Sequence, residues 1–276
     1  MPSVLVTGAA RGIGRSIVEH LAASGWDVIA GVRNEQDAAA ITKAYPQRIS
    51  SVLLDVTDAR HIAALPESLP QQLDAIVNNA GIVVSGPMET VRPDDWRKQL
   101  EVNVIGQLAV TQAVLPLLRK SRGRIVFISS VNGKLSMPLF GAYCASKFAL
   151  EAAADALRLE LRPWSIPVVL VEPAQTDTDI WRTADTVFSE TEAALSPEQR
   201  ALYAKHMAGM KKLIPVSQRM AVAPEKVSAV VEEALTARRP RARYVVGLGP
   251  KLQVALMTNL PTAARDRVLR MVSRQP

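Results

Sequence analysis

Two side chains capable of proton chemistry stand four residues apart in GAYCASKFAL (141–150): the phenol of Tyr143 and the amine of Lys147. On a helix, positions i and i+4 leave the same face, so the pair can act on one object. A free phenol, with a pKa of about 10, exchanges its proton poorly near neutral pH. A neighbouring ammonium favours the phenolate and turns Tyr143 into a usable acid and base. The same ten residues also fit a buried helix whose tyrosine hydroxyl is satisfied internally and whose lysine reaches out to water. What the other elements bring alongside decides between these readings.

Those elements alternate. Short β-branched runs at 4–6, 28–32, 49–54, 75–77, 124–129 and 168–171 read as strands buried on both faces, and stretches such as 13–24, 93–119 and 143–161 have helix length and composition. The alternation predicts right-handed crossovers and an α/β fold: a Rossmann-type, doubly wound parallel sheet with helices on both faces. No internal repeat and no polar linker interrupts the chain, so residues 1–276 are expected to form a single domain. Such sheets bind ligands beyond the carboxyl ends of their strands.

The first of those ends carries TGAARGIG, 7–14. Gly8 suits a turn that a side chain would forbid, Gly12 lets the main chain approach a pyrophosphate, and Gly14 permits helix to pack on sheet. The helix start, with Ile13 in the turn, offers free amides and partial positive charge to phosphates. At the end of the second strand, where an NAD site usually has an acid, the sequence is VIAGVRN, with Val32 and Arg33 in its place. A carboxylate repels a 2'-phosphate and a guanidinium binds it, so NADP(H) is expected in preference to NAD(H), with Arg33 as main ligand and Arg11 as a second. An exposed arginine at a strand end is the plainer alternative.

These motifs occur in a familiar order. TGAARGIG, LDV at 54–56, NNAG at 78–81, Asn103, ISS at 128–130 and YCASK at 143–147 together resemble the short-chain dehydrogenase/reductase family over roughly residues 2–181. The resemblance implies that Asp55 and Val56 flank the adenine and that Asn79, Ala80 and Gly81 pass beside the adenosine ribose. It also implies a catalytic tetrad of Asn103, Ser130, Tyr143 and Lys147. The family's interval between serine and tyrosine favours Ser130 over Ser129. In that scheme Ser130 holds the carbonyl oxygen, Tyr143 exchanges the proton, and Lys147 acidifies the phenol and bonds the nicotinamide ribose. Asn103 holds a helix bend and a water.

EPAQTDTD, 172–179, departs from the family's usual Pro-Gly: Ala174 stands at the glycine, which is tolerable only if the turn does not need positive φ. Thr176 and Thr178 are carried over as cofactor contacts. The segment 179–216 is the expected substrate-binding stretch. Its Ile180, Trp181, Val187, Phe188, Leu195, Leu202, Tyr203, Met207, Met210, Leu213 and Ile214 either roof an apolar pocket or form ordinary core. With the long C-terminal part, these features resemble the branch holding 17β-hydroxysteroid and retinol dehydrogenases, which implies a small lipophilic alcohol or carbonyl substrate.

Composition narrows the alternatives. Hydrophobic residues make up 48% of the chain, enough for a substantial core. Cys144 is the lone cysteine and no Cys/His cluster has metal-ligand spacing, which fits a reducing, cytoplasmic setting without a metal. No leader pattern and no uninterrupted apolar span is evident. The net charge of +7 is concentrated in the extension 236–276, where Arg238, Arg239, Arg241, Arg243, Lys251, Arg265, Arg267, Arg270 and Arg274 face one acid, Asp266. A solvated face explains that excess more simply than contact with a membrane surface, which stays open. Few aromatics interleave with the cations, arguing against nucleic acid. Family analogy implies a homo-oligomer. The competing function is an NADP(H)-binding regulator or sensor without turnover.

Overall fold

A computed structural model describes residues 1–178 and 182–276. Seven strands, β1 (Ser3–Thr7), β2 (Asp27–Val32), β3 (Ile49–Leu53), β4 (Ala75–Asn78), β5 (Arg124–Ile128), β6 (Val168–Glu172) and β7 (Arg243–Val245), form one parallel sheet. Their order is β3-β2-β1-β4-β5-β6-β7. The order reverses between β1 and β4, which opens a crevice at their carboxyl ends.

Alternation along each strand sends side chains to opposite layers. Val4, Val6, Val28, Ala30, Val126 and Val171 pack on one side with Ile17, Val18 and Leu21 of helix α1 (Gly12–Ala23), Ile41 of α2 (Glu35–Thr42), and Val227 and Val231 further on. Leu5, Ile29, Ile76, Ile125, Phe127 and Leu170 face the other side, against α3 (Ala59–Ser68), α5 (Gly106–Ser121) and α6 (Gly141–Glu160). β3 corrects the expectation of strands buried on both faces: as an edge strand it leaves Ser50, Ser51 and Leu53 exposed. 

α4 (Pro93–Leu100) runs into α5 through a π-helical turn, Glu101–Ile105. The combined run Pro93–Ser121 is long and apolar enough to cross a membrane by length and composition alone. Here Val110, Val114 and Leu118 of α5 are spent in the core.

After β6 come α7 (Ala184–Ala193), α8 (Pro197–Arg219) and α9 (Pro224–Thr236), then β7, α10 (Leu248–Thr258) and α11 (Thr262–Val272). The basic extension therefore supplies the last strand of the sheet. Two of its cations are already paired, Arg241 with Glu233 at 2.9 Å and Arg243 with Asp155 at 2.6 Å. Val254 and Met257 of α10 and Leu269 of α11 pack with Val131, Leu135 and Met137, the stretch that follows β5. The outward face of α10 is apolar too, because Leu248, Leu252 and Leu256 are exposed.

Candidate active site

The turn from β1 into α1 has the shape its glycines imply. Gly8 and Gly12 sit at φ 63° and 55°, in the left-handed region. Gly14 serves a closer contact than the expected packing of helix on sheet. A Cβ there would lie 2.2 Å from the Gly8 carbonyl oxygen and 2.5 Å from Asn79 Nδ2, so any side chain would push the turn away from β4. α1 starts at Gly12 with Arg11 as N-cap, no side-chain cap and no acid in its first turn, which leaves its positive end for a ligand.

Thr7 and Asn79 lace the two strand ends together. Thr7 Oγ1 accepts from the main-chain N–H of Asn79 and of Ala80, both at 3.0 Å. The Asn79 amide donates to the carbonyls of Thr7 and Gly8 at 3.0 and 3.1 Å. Its side chain is therefore committed to the turn, whereas Gly81 is exposed. Thr7 opens the TGAARGIG motif, and nothing in the local spacing announces this bracing role.

Arg33 is exposed immediately after β2, and among the residues of that strand end no acid stands beside it. Asp55 follows β3. Burial opposes its ionisation, but two hydrogen bonds from Thr57, at 2.9 and 2.7 Å, and the charge of Arg33 keep its pKa below the ordinary value. Arg33 thus lies near enough to act on Asp55. Val56 is buried.

On the other side of the crevice, the four expected catalytic residues converge from three elements. Ser130 caps the 3-10 turn Val131–Gly133, its Oγ accepting from Asn132 N–H at 3.1 Å, and it also hydrogen-bonds the Tyr143 hydroxyl. Ser129 points elsewhere: its Oγ is buried without a partner and stands 3.0 Å from where Gly133 would carry a Cβ. Lys147 Nζ is buried, donates to the Ile128 carbonyl at 2.8 Å, and lies 5.9 Å from the centre of the Tyr143 ring.

Burial dominates their electrostatics. Burial pushes the Tyr143 phenol up to about 12, against a hydrogen bond from Ser130 that pulls it down. Burial likewise lowers Lys147 to about 8, opposed by the charge of Glu151. Burial thus favours the protonated phenol in the chain without its cofactor, with the Lys147 amine 5.9 Å from the ring centre. Cys144 is buried, its thiol raised by that burial, and serves packing.

Asn103 sits inside the π-helical turn, fully buried, where a helix bend was expected. Its amide clamps Ile82 by both main-chain groups, accepting from N–H at 2.9 Å and donating to the carbonyl at 3.0 Å, and reaches Ser146 Oγ at 3.1 Å. The sequence reading missed its companions. Gln99 accepts from Val84 N–H at 2.6 Å and donates to Ile82 O at 2.9 Å, while Gln107 donates to Ala80 O at 2.6 Å. The spacing of 99, 103 and 107 is the available signal: three amides at steps of four along one continuous helical run, holding 80–84 as it leaves β4.

The loop after β6 resolves the Ala174 question, since Ala174 is not among the residues with positive φ. Thr176 is buried and bridges Val222, and Thr178 is buried against Gly12, whose Cβ would stand 3.3 Å from Thr178 Cγ2. Thr178 therefore borders the phosphate turn. Asp179, Ile180 and Trp181 lie outside the described residues.

Beyond them, much of the expected pocket lining packs upon itself. Phe188 of α7 and Met207, Met210 and Ile214 of α8 bury against Leu139, with Phe140, Tyr203 and Leu213 at the margin. Leu195 is buried, whereas Val187 and Leu202 are exposed. Leu139 itself adopts φ 67°, which few leucines do, and its carbonyl accepts from Gly86 N–H at 2.8 Å. This cluster roofs the approach to α6, since Leu139 and Phe140 immediately precede its first residue.

Comparison with known proteins agrees with the geometry. The family model described as short chain dehydrogenase matches residues 2–187. The chain is 32% identical over 278 residues to the NADPH-dependent 3-dehydrocapnine reductase of Ornithobacterium rhinotracheale, covering 97% of this chain and 96% of that one. It is 34% identical over 286 residues to human retinol dehydrogenase 5, covering 99% and 89%. A short-chain dehydrogenase structure from Streptomyces avermitilis superposes with a TM-score of 0.79 at 29% identity, over 99% of this chain and 97% of that one.

The protein thus belongs to the short-chain dehydrogenase family. Within it, the chain falls in the retinol dehydrogenase-like branch, and it is an oxidoreductase of the kind that binds a nicotinamide cofactor. Its residues fit that group: an uncapped helix start, a glycine turn closed against β4, and an exposed Gly81 just beyond it.

Proposed function

We propose that this chain is an NADP(H)-dependent oxidoreductase that interconverts a carbonyl and an alcohol on a small lipophilic substrate. The observation that carries the reading is the convergence of Ser130, Tyr143 and Lys147 at the sheet's switch point, opposite an uncapped helix start. A bound nicotinamide supplies or accepts the hydride. Ser130 holds the substrate oxygen with its hydroxyl. Tyr143, kept protonated by its surroundings, donates a proton to the oxygen that gains charge during reduction and recovers it in the reverse direction. Lys147 places positive charge beneath the phenol and has donors left for the cofactor ribose. Asn103, with Gln99, positions the main chain at 82–84 that lines the crevice.

Arg33 supports the choice of NADP(H), being an exposed guanidinium where an acid would repel a 2'-phosphate. The NADPH dependence in the name of the O. rhinotracheale relative points the same way. The retinol dehydrogenases among the relatives, and the cluster of Phe188, Met207 and Met210 above α6, support a lipophilic substrate.

The test is NADPH oxidation by purified protein against aldehydes, ketones, retinal and steroid ketones. Turnover is expected with at least one, and Tyr143→Phe should lower kcat by about 100-fold to 10,000-fold while NADPH still binds. Equal turnover in the variant would remove Tyr143 from its role. Tight NADPH binding without turnover on the whole panel would favour a sensor instead.

A further inference from the structure

Behind the tyrosine and lysine lies a second set of ionisable groups for which the reaction has no evident use. α6 carries Tyr143, Lys147, Glu151 and Asp155 at steps of four, and Glu172 ends β6 beside them. Glu151 and Glu172 are only 5% and 1% exposed, which is unusual for carboxylates. Three cations face them from separate elements. Lys134, on the stretch after Ser130, is 3.5 Å from Glu151 Oε2. Arg243 of β7 lies 3.0 Å from Glu151 Oε2 and 3.3 Å from Glu172 Oε1, and its far end meets Asp155, which also holds Arg158. Lys147 stands one turn before Glu151 and feels its charge. Even so, Glu151 Oε1 and Glu172 Oε1 are buried without any hydrogen-bond partner.

Two buried carboxyl groups gathered on one guanidinium nitrogen, each with an oxygen lacking a hydrogen bond, repel if both are ionised, whereas one shared proton relieves both. We propose that Glu151 and Glu172 form a carboxyl pair holding a single proton at neutral pH, and that this pair is a positioning device for the active site. It joins α6 with Lys147, the Ser130 stretch through Lys134, and the strand end leading to Thr176. The connection to Ser130 is reinforced where Val131 N–H donates to the Pro173 carbonyl at 3.0 Å.

Charge gives the pair its second effect. With the proton retained it presents one negative charge to Lys134, Arg243 and Lys147; once the proton leaves it presents two, which favours the Lys147 ammonium but strains the seam between the carboxyls. Burial first, then the nearby charge of Glu151, pushes Glu172 up to about 7, in agreement with that arrangement. Because its folded value lies above the ordinary one of 4.5, the stability that the pair contributes is complete below about 4.5 and lost as pH rises through about 7.

The significance for catalysis rests on the proposed function, but the first measurement does not. Thermal melts of the protein without cofactor should show Tm falling by about 3 to 6 °C between pH 6 and pH 8, and Glu172→Gln, which keeps the shape and a donor toward Glu151, should flatten that slope. A variant that lowers Tm equally at every pH would overturn the shared proton and leave a purely structural residue. The second measurement is NADPH binding against pH by cofactor fluorescence. Glu151→Gln should move the alkaline loss of affinity down by about one pH unit, as Lys147 gives up its proton sooner. An unmoved profile would overturn the link to Lys147, whereas no NADPH binding by the wild type would count against the proposed function alone. Should the Gln variants fold poorly, carboxyl carbon titration of the wild type by NMR still decides: one midpoint near neutrality is expected, and two acidic midpoints would refute the pair.

Discussion

The crevice has two walls built on different principles. The nucleotide wall, from β1 to Gly81, is shaped by backbone: Gly8 and Gly12 at positive φ, Gly14 pressed on the Gly8 carbonyl, and Thr7 gathering two N–H groups. The opposite wall, from Leu139 through α8 and on to α10 and α11, is shaped by interlocking apolar side chains. Backbone geometry admits few residue types, whereas apolar packing admits many of similar volume. One framework can thus keep its glycine-shaped wall while its apolar wall changes.

That contrast can be broken most severely at Gly14. Gly14→Ala drives a methyl into the Gly8 carbonyl, so Tm should drop by about 10 °C and NADPH binding should be lost together with it. Retained binding, measured by cofactor fluorescence, would show that the turn relaxes and that the nucleotide wall is less rigid than its contacts imply. On the other wall, Met210→Ala should cost about 2 to 5 kcal/mol in denaturant unfolding, yet leave NADPH affinity within about twofold. A large loss of cofactor affinity there would show that the walls are coupled.

Smaller changes sharpen the comparison. Arg33→Ala should weaken NADPH about 10-fold to 100-fold and leave NADH nearly unaffected, as read by titration with each cofactor. Equal weakening of both would assign Arg33 to general electrostatics. The smallest effect is expected at Leu252, exposed on the outer face of α10, where Leu252→Gln should change unfolding free energy by no more than about 0.5 kcal/mol. A larger loss would reveal a covered surface in solution.

Legibility in the sequence follows the same division. Six strands were evident from their β-branched runs, and TGAARGIG and YCASK marked both sides of the crevice because each depends on spacing within one turn. The seventh strand is only three residues long; its short Tyr244-Val245-Val246 run becomes a strand through pairing with β6. The burial of β3 was overestimated because edge position is a property of the sheet order. The roof was ambiguous for a related reason: Phe188, Met207 and Met210 have the spacing of core and of pocket alike, and the packing against Leu139 is set by residues far away in the chain.

Taken alone, the amino-acid order determined the fold class, the phosphate turn, and the shared helical face of Tyr143 and Lys147, since all three follow from local conformation and short periodicity. Tertiary structure decided that Gln99 and Gln107 support Asn103 and that Glu151 meets Glu172 across two elements. Those outcomes depend on which distant groups share a buried space. There an unpaired charge or hydrogen bond costs most, and no local spacing records its partner.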